Sequence, residues 1–175
     1  MQVTIRQEKP EDYNNVAMLI ENAFRTERFS DHQEQFLVDR LRKSTEFIPE
    51  LSMVAEINND VVGHILLTKI AINNDSNSYE SLALAPVSVT PIHQKKGIGG
   101  LLIKAAHIKA KELGFTSIVL LGHDTYYPRF GYELTSKYGI KFPFDIPNKY
   151  CMVKALTKDG LKGVSGFVEY PEAFY

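Results

Sequence analysis

The stretch Gln94-Lys95-Lys96-Gly97-Ile98-Gly99-Gly100 holds the residues best suited to chemistry. It lies between an apolar run and the strongest amphipathic helix pattern in the chain. Glycines let the backbone turn tightly and come close to a ligand. Free N–H groups and the dipole at the start of the helix then favour an anion, phosphate above all. Lys95 and Lys96 add positive charge at the same point. Three phosphate-binding patterns compete for the segment. A Walker-type loop needs four residues between its first glycine and Gly-Lys-Ser/Thr, and no such string occurs. A dinucleotide fingerprint needs glycine at 97, 99 and 102, but position 102 is leucine. The pattern Gln/Arg-Xaa-Xaa-Gly-Xaa-Gly/Ala is matched by Gln94, Gly97 and Gly99. An ordinary tight strand-to-helix turn is the plain structural alternative. Elsewhere, Cys151 sits in the β-leaning run Tyr150-Cys151-Met152-Val153 with no adjacent histidine, and reads as a buried, inert thiol. His32, His93 and His107 share no metal-ligand spacing, so no metal is expected.

The elements around the loop follow from pattern. Val3 to Arg6 reads as a short strand. Pro10, Glu11 and Asp12 open a helix, proline suiting its first turn and acids its positive end. Val16, Leu19, Ile20, Ala23 and Phe24 form its apolar stripe. A second helix is expected from Ser30, with Gln33 completing a capping box and Phe36, Leu37 and Leu41 facing the core. Leu51 to Ile57 and Val61 to Ile72 form a hairpin around Asn58-Asn59-Asp60. Leu82 to Val89 is a strand in which Pro86 demands a bulge or an unpaired side. Residues 97–113 form a helix with Ile98, Leu101, Leu102, Ala105, Ala106, Ile108 and Leu113 inside. Lys104, His107, Lys109, Lys111 and Glu112 are its wet positions, and Gly114 caps it. Ser117 to Leu121, the region of Cys151 to Leu156, and Gly166 to Tyr170 complete the strands. This α/β (α+β) order predicts a mixed sheet of about six to seven strands flanked by helices. No internal repeat or linker divides it, so residues 1–175 are expected to form a single domain.

With its context, the loop resembles the acetyl-CoA pyrophosphate loop of the GCN5-related N-acetyltransferase (GNAT) family. It follows the apolar strand Ala83-Leu84-Ala85-Pro86-Val87-Ser88-Val89 and opens a helix. Tyr127-Pro128-Arg129-Phe130-Gly131-Tyr132 resembles the family's Tyr-Xaa-Xaa-Xaa-Gly-Phe element, with Tyr132 in place of Phe. Ile5-Arg6, with Pro10-Glu11-Asp12, resembles the family's first strand and helix. Gly122 to Gly131 and Gly166 to Phe174 fit a bacterial subgroup of predicted acetyltransferases.

The resemblance implies a mostly antiparallel sheet whose fourth and fifth strands splay apart, with pantetheine in the V between them. Backbone groups at Val87, Ser88 and Val89 would pair with its amides. Gln94, Lys95, Lys96, Gly97, Ile98, Gly99 and Gly100 would hold its phosphates, with His123 near the sulfur end. Tyr127 falls on the family's acid tyrosine and would protonate the departing thiolate. Packing beside the cofactor is the blander role for that ring. His64, Glu80, His123, Asp124 and Glu133 stay open as candidates for the base. The expected activity is acetyl transfer from acetyl-CoA to the primary amine of a small molecule or peptide. A non-catalytic CoA-binding sensor, or transfer of a longer acyl group, are the alternatives.

Composition sets the outer limits. Twenty Lys+Arg against 21 Asp+Glu leave a net charge of −1, which argues against a polyanion-coating protein and so against a nucleic-acid partner. One cysteine excludes an intramolecular disulfide framework and makes a reducing, cytoplasmic setting the default. No apolar run approaches the roughly 18 residues that span a bilayer, so no membrane partner is expected. A monomer and a homodimer are equally compatible with the sequence. The near-neutral total conceals a segment from His93 to Lys111 with five lysines and no acid.

Overall fold

The computed structural model describes residues 2–28 and 30–175. Strand β1 (Thr4–Gln7) is followed by helices α1 (Tyr13–Phe24) and α2 (Glu34–Arg42). Strands β2 (Ser52–Ile57), β3 (Asp60–Asn73) and β4 (Ser78–Val89) follow, then α3 (Ile98–Glu112) and β5 (Ser117–Leu121). Two-residue strands β6 (Glu133–Leu134) and β7 (Ile140–Lys141), then β8 (Cys151–Ala155) and β9 (Gly166–Glu169), complete the chain. They form one nine-stranded sheet with the path β1-β2-β3-β4-β5-β8-β6, while β9 joins β3 to β7. Every pairing is antiparallel except β4 with β5 and β7 with β9. The count exceeds the expected six to seven because β6 and β7 are too short to leave an alternating pattern.

Helices cover both faces. Val16, Leu19 and Ile20 of α1 and Val38 and Leu41 of α2 close over Val54 and Leu66. On the other face α3 packs Ile98, Leu102, Ile103, Ala106 and Ala110 against Ile65, Leu67, Leu82 and Leu84. The α3 assignment needs correction, since Leu101, Ile108 and Leu113 are exposed. Apolar residues ring this helix widely enough that periodicity alone leaves its rotation open. The rotation is decided by Gly63 on β3. A Cβ there would lie 3.0 Å from Leu102 Cδ1 and 3.3 Å from Ile98 Cγ2, so these two side chains sit against bare backbone. His107 is not a wet position either; its Nε2 lies 2.9 Å from the Tyr132 hydroxyl.

Two further differences lie around α2. The helix begins at Glu34, and the Gln33 side chain makes no capping bond. Ser30 instead donates its hydroxyl to the Glu34 carboxylate, and the Asp31 carboxylate accepts the Gln33 N–H at 2.9 Å. Phe36 is exposed and Val38 takes its place in the core. At the first helix, Pro10–Asp12 forms a 3₁₀ turn leading into α1. Asp12 accepts the Lys9 N–H at 2.8 Å and bonds Arg6 at 2.7 and 2.9 Å. Truncating Leu66→Ala, at the fully buried centre of the α1–α2 layer, should lower unfolding stability by about 2–5 kcal/mol, measured by urea titration.

Candidate functional site

The strand carrying Pro86 is bulged where proline cannot donate to a ladder. Between the pairs Ile65–Val87 and Leu67–Leu84, β3 advances two residues and β4 three. The Ala85–Pro86 bond is cis. On its other side β4 pairs with β5 only at Leu82–Ile118 and Ala83–Val119. Beyond that point β4 runs on to Val89 and β5 to Leu121 without meeting. The sheet is therefore split between Val87, Ser88 and Val89 on one wall and Leu120, Leu121 and Gly122 on the other. Backbone groups of 87–89 that face away from β3 have no strand partner among the described residues.

The glycine loop closes one end of the split. Pro91–His93 forms a 3₁₀ turn, and the Gln94 amide donates to the Val89 carbonyl at 3.2 Å. Gln94 thus pins the loop to the end of β4. Lys95 and Gly97 both have positive φ, 60° and 84°. Ile98, Gly99 and Gly100 open α3 and present free N–H groups. The glycines serve different ends. Its own chain neighbours aside, no atom of the described residues lies within 4 Å of where a Gly97 Cβ would be, so its left-handed backbone is what requires glycine. Gly97→Ala should cost about 1–2 kcal/mol in stability, read from a urea midpoint, without a clash. Gly99 and Gly100 instead leave room for neighbours: the Tyr126 hydroxyl would lie 2.9 Å from a Gly99 Cβ, and the Phe130 ring 3.3 Å from a Gly100 Cβ.

Tyr127 begins a 3₁₀ turn, Tyr127–Phe130, after β5. The His123 carbonyl holds that turn, accepting the N–H of Tyr126 at 3.1 Å and of Tyr127 at 3.4 Å. The exposed His123 ring has no polar partner among the described residues. The Tyr127 ring lies in the same apolar cluster as Leu84 and Leu120, the residues flanking the split. It lies close against Gly122: a Cβ there would be 2.3 Å from Tyr127 Cε2. Tyr126 and Tyr132 meet the ring edge-on, with centroids 5.2 and 5.8 Å away. Burial, reinforced by Tyr126, pushes the Tyr127 phenol well above its ordinary value, so it keeps its proton.

A buried polar line runs beneath the β3 side of the split. Arg42 donates to Glu8 at 2.5 and 3.2 Å while stacking 4.0 Å over the Tyr13 ring. Ser52 gives its one hydroxyl proton to Glu8 at 2.6 Å. His64 Nε2 lies 3.1 Å from Ser52 Oγ, so Nε2 must carry the proton that joins them. That tautomer leaves Nδ1 an acceptor with no hydrogen-bond partner among the described residues. Burial, then the Arg42 charge, holds His64 down at about 3, so the ring is neutral. Ser88, paired with His64 across the ladder, is also buried, and its hydroxyl makes no hydrogen bond among the described residues. The patterning of the sequence gave no sign of this line, because Glu8, Arg42, Ser52 and His64 come from four separate segments.

Of the other base candidates, Glu80 is ion-paired to Lys69 at 2.5 Å. Lys137, then Tyr138, hydrogen-bond Glu133 and lower its pKa. Asp124 lies 3.7 Å from Lys149. Cys151 is buried and its thiol is pushed up by desolvation, in keeping with an inert role. Among the described residues, no three His, Cys, Asp or Glu side chains are grouped to hold a metal, and no helix is long and apolar enough to cross a membrane.

A split between a parallel strand pair, leading directly into a glycine loop at a helix N-terminus, is the arrangement the sequence motifs implied. The family profile described as acetyltransferase (GNAT) domain matches residues 4–135. The chain belongs to the GNAT acetyltransferase family. An uncharacterized N-acetyltransferase of Escherichia coli K12, YjhQ, is 35% identical over 136 residues, 75% of each chain. The E. coli GNAT family protein YhbS, solved in complex with CoA, superposes with a TM-score of 0.89 at 26% identity, covering 99% of this chain and 92% of that one. A GNAT family acetyltransferase from Brucella melitensis, solved with acetyl-CoA, gives 0.81 at 32% identity over 99% of both chains.

Proposed function

We propose that this GNAT family member is an acetyl-CoA-dependent N-acetyltransferase acting on a primary amine, with residues 1–175 forming one domain. The observation that carries this reading is the β4–β5 split opening directly onto the loop 94–100. The open backbone at Val87 to Val89 suits the amides of pantetheine, a pairing akin to strand addition. The N–H groups of 97–100, with Lys95 and Lys96, suit the phosphates. The relatives solved with CoA and acetyl-CoA support the same occupant.

Transfer then proceeds by direct attack within a ternary complex. The acceptor nitrogen attacks the thioester carbonyl carbon, forming C–N as the C–S bond breaks. Tyr127 gives its phenolic proton to the sulfur that leaves. The raised Tyr127 pKa keeps that proton in place beforehand, and the same dry surroundings raise the proton affinity of an expelled thiolate. The nitrogen loses its own proton to a base, which returns the balance. A cavity of about 510 Å³ lined by Glu46, Lys69, Ser78, Glu80, Glu169 and Tyr170 is the candidate acceptor entrance, although it shares no lining residue with the split, the glycine loop or Tyr127. It lies where the segment after α2, the start of β4 and the end of β9 meet. Three carboxylates against one ammonium favour an acceptor that arrives as a cation.

Isothermal titration with CoA, and free-thiol release from acetyl-CoA with a panel of primary amines, test the proposal. Binding of CoA with thiol release on at least one amine is expected. No detectable CoA binding, or CoA binding with no transfer to any amine, would overturn it.

A further inference from the structure

Tyr126 and Arg129 stand at the N-terminus of α3 although they belong to the segment after β5. The Tyr126 hydroxyl lies 2.9 Å from the place a Gly99 Cβ would take, beside the second residue of the helix. The ring is held there from three sides. Phe130 packs at 5.3 Å between centroids and itself rests on Gly100. Tyr127 meets it edge-on at 5.2 Å. Arg129 lies 4.4 Å over its face, anchored by its Nε donating to the Tyr126 carbonyl at 3.1 Å. The hydroxyl itself makes no hydrogen bond among the described residues, and Arg129 forms no ion pair among them.

The Tyr126 proton is therefore free for a ligand at the start of α3, where the first N–H groups have no helical acceptor. The stacked guanidinium keeps its terminal nitrogens for the same space, because only Nε is engaged. The guanidinium is a donor only and the phenol has one proton to give, and a diphosphate is a cluster of acceptors without donors. We propose that Tyr126 and Arg129 complete the diphosphate site, with the Tyr126 hydroxyl and the Arg129 guanidinium each donating to the CoA pyrophosphate alongside the loop backbone. This rests on the CoA-binding reading above. Burial raises the Tyr126 pKa, opposed by Arg129, so the phenol stays a donor. The assignment gives Gly99 and Gly100 a second purpose: they seat the aromatic segment against the loop. It also joins the phosphate end of the site to Tyr127, whose neighbour in sequence makes the contact.

Calorimetric titration of Tyr126→Phe and Arg129→Gln with CoA and dephospho-CoA, at 50 and 300 mM salt, provides the test. Tyr126→Phe removes one oxygen and keeps the packed ring, so folding is preserved. Each variant should bind CoA roughly tenfold more weakly, the effect of losing a hydrogen bond to a charged group. Dephospho-CoA should show the same loss, since it keeps the pyrophosphate and lacks only the 3′-phosphate. For Arg129→Gln the dependence of affinity on salt should flatten, which lost packing alone would not produce. Unchanged CoA affinity in Tyr126→Phe, or a loss confined to CoA, would overturn the assignment. So would an unaltered salt dependence in Arg129→Gln. Failure of the wild-type protein to bind CoA would overturn the reading beneath it.

Discussion

Tyr127→Phe should bind acetyl-CoA as the wild type does and release thiol on the order of 100-fold more slowly with the best amine of the panel. A positioned acid or base is commonly worth a factor of this size, and the substitution removes only the hydroxyl. Stability should hardly change, because the ring keeps its contacts with Gly122, Leu120 and Tyr132. Gly122→Ala should give a similar loss of turnover by another route. Its Cβ would lie 2.3 and 2.7 Å from two atoms of the Tyr127 ring, so the ring must move away from the split. Overpacking of this kind costs about 1–3 kcal/mol as well, so Gly122→Ala should also unfold at lower urea concentration. Loss of turnover in both variants, with stability lost in only one, separates position from chemistry. Equal turnover of Tyr127→Phe and wild type would remove Tyr127 from the acid role.

Acid should unfold the protein through His64. Burial, with the Arg42 charge, holds the folded imidazole down at about 3, from an ordinary value of 6.5. Between these values the unfolded chain binds a proton that the folded chain refuses. Stability is therefore fully present above pH 6.5, falls as the pH drops through this window, and is lost toward pH 3. A shift of this size corresponds to about 5 kcal/mol, a large share of the 5–15 kcal/mol typical of a domain. His107, lowered to about 4 by burial and by Lys154, adds a smaller effect of the same sign. Asp12, whose carboxyl is held down chiefly by the Arg6 hydrogen bonds, loses that pairing on protonation. Urea unfolding of wild type and His64→Gln at pH 7.5, 5.5 and 4.5 checks the origin. The wild type should weaken steeply over this range and the variant much less. Parallel pH profiles would place the acid sensitivity elsewhere.

Much of this was legible locally. Gln94, Gly97 and Gly99 mark the loop, Pro86 the bulge, and Tyr127 with Gly131 the segment after β5, because turns, prolines and glycines act on the backbone of their own neighbours. Proline forbids a donor wherever it stands, so a bulge or an unpaired side at 86 followed from the sequence, and the register shift between β3 and β4 decides for the bulge. The apolar, β-leaning runs likewise announced β2 to β5 to within a few residues. The rotation of α3 was a different matter. Leu101 and Ile108 are as apolar as Leu102 and Ile103, and only the bare backbone at Gly63 decides which pair goes inside.

The amino-acid sequence by itself determined the order of the longer elements, the family and the position of the glycine loop, since each rests on contiguous residues. Tertiary structure alone decided which distant groups share a site. Glu8, Arg42, Ser52 and His64 form one hydrogen-bonded line because α2, β2, β3 and the residue after β1 converge, and the burial there, with the Arg42 charge, keeps His64 neutral. Gly99 meets Tyr126, and Gly122 meets Tyr127, because the segment after β5 folds back over the start of α3 and the end of β5. Contacts of this kind have no sequence period, so nothing short of the packed fold reveals why those two positions must be glycine.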